Sequence, residues 1–210
     1  MSLSLWVSLV AACAVISLTP GAGAINTISN SLSEGWRRAG WGILGQQLAL
    51  IAHVVIVAAG VGLIVSSSPL LFNVIRYAGA AYLVYLGVRL LLIKTDAAAD
   101  DGEDPLVRPP EGAWSMTRRG FWVNLLNPKA IVFFLAFLPQ FIRLDQPLLP
   151  QYAIFIATTV VIDIIVMWGV FAAAARPFRR VTSTPRGRRA LNTVFGLLFI
   201  GVAALLLFVH

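Results

Sequence analysis

The sequence reads as an all-α integral membrane protein: six transmembrane helices in a single domain (1–210), arranged as two inverted three-helix repeats. Three observations carry that reading. The chain is 59% apolar and 12% charged, where a soluble domain carries about 25% charged residues. Six segments reach the roughly 20 apolar residues needed to cross a hydrocarbon core. Two of them are interrupted by a proline in polar company, Thr19-Pro20-Gly21 and Asn127-Pro128-Lys129.

The first span covers residues 3–25 and holds the Pro20 break. Its Cys13 is the lone cysteine, so no intramolecular disulfide can form and the thiol reads as a small packing group. Gly21-Ala22-Gly23-Ala24 resembles a signal-cleavage site, but no Lys or Arg precedes Arg37, so the segment is expected to stay as a span. The second span, 42–65, sets His53 on a face with Gln46, Ala49 and Gly60, small or polar residues suited to close helix contact. The third, 70–93, ends near Arg89, which can snorkel to the interface. Residues 95–119 carry acids, glycine and three prolines and read as a cytoplasmic loop between a first repeat (1–94) and a second (120–210). The fourth span, 120–142, contains the Pro128 break and Lys129, the only basic residue well inside a span. The fifth, 152–175, has Asp163 at its middle, and the sixth covers 191–209. Gly42, Gly45, Gly60, Gly79, Gly87, Gly196 and Gly201 are expected to let helix backbones approach, without chemistry of their own.

The net charge of +7 is explained by its placement. Twelve of the 16 basic residues fall in the polar stretches 26–41, 94–119 and 176–189, all on one side of a six-span chain. The positive-inside rule then puts both termini in the periplasm and those stretches in the cytoplasm, with the bilayer as the partner surface. Nucleic-acid binding is not needed to account for the charge.

The halves share weak symmetry. Thr19-Pro20-Gly21-Ala22 parallels Asn127-Pro128-Lys129-Ala130, and Tyr85 to Leu92 parallels Phe199 to Leu206. Three spans is an odd number, so the halves would lie in opposite orientations, as in alternating-access carriers.

The breaks have a definite chemistry. Proline lacks the N–H that would bond the carbonyl four residues back, so Pro20 frees Ile16 and Pro128 frees Asn124. Free carbonyls accept from an ammonium. Half-helices starting at Pro20 and Pro128, with Thr19 and Asn127 as caps, offer N–H groups and a positive dipole end to a carboxylate. Thr19, Pro20, Gly21, Asn124, Asn127, Pro128 and Lys129 are therefore the candidate residues for binding a small zwitterion. Prolines that only kink helices are the other reading.

A charge at mid-span costs about 2.5–3.5 kcal/mol on insertion scales, so Asp163 should face the bundle interior, with Thr159 one turn away. It is the candidate proton carrier. His53 either packs or shares that proton, and both readings stay open. No His-Glu-x-x-His, no Gly-x-Ser-x-Gly and no cluster of His, Cys and carboxylates occurs in the sequence, so no catalytic residue, metal site or cofactor is expected. A metal exporter is the nearer rival, with too few ligands inside the spans to support it.

Several blocks carry a resemblance. Pro20-Gly21, Gly35-Trp36-Arg37-Arg38-Ala39-Gly40, Gly79 to Gly87, and Asn124-Leu125-Leu126-Asn127-Pro128-Lys129-Ala130 running into Phe133 to Phe141 resemble the LysE/RhtB amino-acid exporters along the whole chain. The resemblance implies a six-helix inner-membrane protein, not an enzyme, that exports amino acids or close derivatives such as homoserine, threonine or lysine, driven by protons. It leaves a homo-oligomer open. The family usually has Pro-Gly-Pro followed by a polar residue, whereas this chain has Pro20-Gly21-Ala22-Gly23, a departure that loosens the first break.

Overall fold

The computed structural model describes residues 1–67, 69–93, 111–143 and 145–208. The elements among the described residues are all helices: α1 (Leu3–Leu18), α2 (Ala22–Glu34), α3 (Trp36–Ser67), α4 (Pro69–Leu92), α5 (Ala113–Leu125), α6 (Pro128–Phe141), α7 (Leu148–Ile164, continued as a π-helix over Ile165–Ala172), α8 (Ala175–Thr182) and α9 (Pro185–Phe208). Three helices are long and apolar enough to cross a membrane, within Trp36–Gly60, Asn73–Leu92 and Leu148–Ala172. Two bent pairs qualify together, α1 with α2 at 57° and α5 with α6 at 59°, giving up to five spans. The expected sixth span lies in α9, whose first turns carry Arg186, Arg188 and Arg189.

Both proline signals do break helices, but the flanking polar segments differ from expectation. Residues 26–34 continue as α2 instead of forming a loop, and Asn26, Thr27 and Asn30 are buried. The turn into α3 shrinks to Gly35, whose φ of +89° is the left-handed conformation that glycine adopts without strain. Of the expected loop 95–119, residues 113–119 form the start of α5, and 95–110 lie outside the described residues. The basic stretch 176–189 is helical in α8 and the start of α9, apart from a short turn. In α2 the reason is that Asn26, Thr27 and Asn30 face protein; the arginines of 176–189 stay mostly exposed, on a helix rather than a loop.

Close backbone approach sets the packing of α3 on α5. A Cβ on Gly120 would collide with the Gly42 carbonyl, and one on Gly45 with the Thr117 carbonyl. Gly87 and Gly196 meet in the same way between α4 and α9, where a Cβ on either would lie 2.7–2.8 Å from the other's carbonyl oxygen. Gly60 and Gly201 are different: among the described residues nothing lies within 4 Å of the Cβ position, so these two were wrongly grouped with the contact glycines.

The core sits beside the second break. Phe133, Phe137 and Phe141 recur at helical spacing on α6, with ring centroids 4.7 and 6.4 Å apart, and Phe155 of α7 packs against Phe134 and Phe141. Cys13 is buried in this cluster, as a packing thiol would be. At one end of the bundle, Trp36 and Trp168 exchange indole N–H bonds to each other's carbonyls at 3.1 and 3.2 Å. That latch ties the start of α3 to the π-helix, which begins two residues after Asp163. Short π segments are frequent at functional sites.

Candidate solute site between two broken helices

The first break is built from α1 outward. Thr19 ends α1 rather than capping α2: its N–H and its Oγ1 both donate to the Val15 carbonyl, at 3.1 and 2.7 Å. The second half-helix starts at Ala22, with Gly21 at the cap position and no side-chain cap. Pro20 therefore lies in the linker and not at a helix start, a correction that follows from Thr19 folding back. Ala22 occupies the first helical position, which would accommodate a proline.

At the second break, the Asn127 side chain accepts from the Lys129 N–H at 3.1 Å and Pro128 takes the first helical position. The Asn124 carbonyl, expected to be free, accepts from the Asn127 N–H at 3.1 Å. Its side chain donates to the Gln46 carbonyl at 3.1 Å. The Ile16 carbonyl released by Pro20 does find an ammonium, but one from within the chain. Lys129 Nζ donates to Ile16 O at 3.0 Å and to Thr19 O at 2.6 Å.

A narrow cavity lies between the breaks. Ser17 and Ile16 of α1, Gly23 of α2, Gln46 and Leu50 of α3, Asn124 and Asn127, Lys129, Phe133 and Phe134 of α6, and Thr159, Asp163 and Met167 of α7 line it. Asp163 is buried. Ser17 Oγ donates to its Oδ1 at 3.0 Å and Gln47 Nε2 to its Oδ2 at 2.7 Å. Thr159 donates instead to the Phe155 carbonyl at 2.8 Å, and Thr158 accepts from the Trp6 indole on an exposed face.

The structure thus gathers Asn124, Asn127, Lys129 and Asp163 around one space, and puts Pro20, Gly21 and Pro128 on a second cavity next to it. Thr19 contributes its carbonyl. His53 lines neither cavity. It stacks on Phe134, centroids 5.4 Å apart and planes 8° from parallel. Its nitrogens lie toward the carbonyls of Ala49 and Leu125 without a hydrogen bond of good geometry. Sequence reasoning missed Ser17 and Gln47, the two partners of Asp163. A glutamine pair on an apolar helix, Gln46-Gln47, was the available signal, since buried amides need partners.

Broken helices, an acid and an amine facing one internal space, and spans of membrane length define a membrane-embedded translocator. Residues 14–209 match the profile described as LysE type translocator, and the chain belongs to that family of multi-pass membrane proteins. It is similar to the homoserine/homoserine lactone efflux protein of Salmonella typhi, 39% identical over 98% of this chain and 97% of the relative. An uncharacterized membrane protein of Vibrio cholerae is 38% identical over 98% of each chain. The leucine efflux protein of Salmonella choleraesuis is 29% identical over 96% and 93%. No solved structure matches.

Proposed function

We propose that the chain exports neutral amino acids or close derivatives, of the size of homoserine or leucine, across the bacterial inner membrane in exchange for protons. The observation that carries this is the cavity with one buried carboxylate, Asp163, and one amine, Lys129, between the two breaks. An amino-acid zwitterion needs one partner of each sign. Asp163 faces the substrate ammonium, and Lys129 with the nearby half-helix N–H groups faces its carboxylate. Leu50, Phe133, Phe134 and Met167 supply an apolar wall for the substrate side chain. Two relatives named for homoserine/homoserine lactone efflux and for leucine efflux fit substrates with a single amine.

Coupling follows from competition at one group. The Asp163 carboxylate holds either a proton or an ammonium. A proton arriving from outside converts it to the neutral acid and releases the substrate, and its loss to the inside restores the anion for the next substrate. His53 has no role in this cycle, because it stacks behind Phe134 and is not among the residues that line the cavity. In this reading the six-span arrangement, with both termini periplasmic and two inverted repeats, gives the alternation its symmetry. The test is counterflow in proteoliposomes with a panel of amino acids: homoserine or leucine should drive uptake of its own label and lysine should not. Absence of counterflow for every neutral amino acid would overturn the reading.

A further inference from the structure

Two cavities meet at the breaks, and they share only Asn127 and Lys129. The second is lined by Pro20, Gly21 and Pro128 from the breaks and by Tyr82, Leu86 and Arg89 of α4. Among the described residues no acidic side chain lines it, and Arg89 has no ion-pair partner. The Lys129 side chain lies across Gly21, where a Cβ would stand 3.1 Å from its Cε. Its ammonium is tied to Ile16 O and Thr19 O by two hydrogen bonds. A flexible chain held by two carbonyls is a partition that can be released without unfolding a helix.

We propose that the Arg89 cavity is a vestibule that receives the carboxylate of the arriving amino acid, and that Lys129 is the barrier between this vestibule and the Asp163 cavity. The proposal rests on the export reading and adds an entry site and a gate to it. A guanidinium and an ammonium in one apolar-walled space favour a small carboxylate over a cation. The carboxylate then has a second cation to move to, Lys129, whose departure from Ile16 and Thr19 opens the way to Asp163.

Single cysteines in a Cys13→Ala background test this with a membrane-impermeant thiol reagent on inside-out vesicles. Leu86→Cys, in the vestibule, should react; Ala24→Cys, in the Asp163 cavity, should be protected. Adding Lys129→Ala should remove the protection of Ala24→Cys while Leu86→Cys reacts as before, which also shows that the fold is intact. Lys129→Arg should restore protection. Homoserine should slow the Leu86→Cys reaction, and Arg89→Gln should abolish that effect. An unreactive Leu86→Cys, or no slowing by homoserine, would overturn the vestibule. Ala24→Cys reacting with Lys129 present, or still protected in Lys129→Ala, would overturn the barrier. The barrier arms need no substrate, so they fail separately from the export reading.

Discussion

Lys129 of the second helix break donates a 2.6 Å hydrogen bond to the Thr19 carbonyl in the first. The two breaks are therefore one unit: the amine that follows one proline satisfies the backbone that the other proline leaves open. In a low-dielectric interior an unpaired carbonyl is costly, so this contact makes the first interruption tolerable, as the Asn127 N–H on the Asn124 carbonyl does for the second, and it keeps Lys129 on the cavity that Asp163 lines.

Removing the cap or the proline should damage transport more than assembly. Asn127→Ala loses the bond to the Lys129 N–H, worth about 1 kcal/mol. Pro128→Ala supplies a new N–H that competes for the Asn124 carbonyl and reduces the 59° bend. Both variants should reach the membrane at near wild-type level and export more slowly, as measured by substrate efflux from loaded cells. Wild-type efflux in both would reduce the breaks to kinks.

Glycine substitutions should separate by position. Gly120→Ala drives a methyl group into the Gly42 carbonyl, an overpacking that costs about 1–3 kcal/mol. Gly60→Ala and Gly201→Ala add a methyl to open space and should leave the unfolding temperature in detergent nearly unchanged. Equal melting for all three would contradict the packing of α3 on α5.

Much of the site was legible because broken helices leave local marks. Asn before proline predicted the α6 cap correctly, and a carboxylate in an apolar run had to turn inward. What was not legible came from across the fold. Thr19 reads as a helix-start residue, yet it folds back on Val15 because Pro20 and Gly21 extend the chain before α2 begins. Nothing local says that Lys129 reaches the Ile16 carbonyl, since that contact joins residues brought together only by packing. Polar α2 looked like a loop because its polar residues Asn26, Thr27 and Asn30 turn inward, where Thr27 accepts from Gln46 and Asn30 from Arg119.

Orientation is a separate expectation. The charge bias places both termini in the periplasm and Gly35 and Gly112 in the cytoplasm. In a Cys13→Ala background, cysteines added before Met1 or after His210 should react with an impermeant reagent in cells whose outer membrane alone is opened, and Gly112→Cys should not. The reverse pattern would invert the topology.

Supporting contacts around the acid should tune it without replacing it. Gln47→Leu deletes the 2.7 Å bond to Asp163 Oδ2, leaving Ser17 as its remaining hydrogen-bond donor. Efflux should fall about ten-fold or more, since a bond to a charged group is worth about 1.5–3 kcal/mol, with a shifted pH profile. A profile identical to wild type would mean that Gln47 only packs.

Gradient-driven export by Asp163→Asn in proteoliposomes is the decisive measurement. Asparagine keeps the shape and the bonds to Ser17 and Gln47 in altered polarity but cannot exchange a proton. The variant should fail to concentrate homoserine against its gradient when a pH difference is imposed. Full uphill export by Asp163→Asn at the wild-type rate would contradict the account and move coupling away from this cavity.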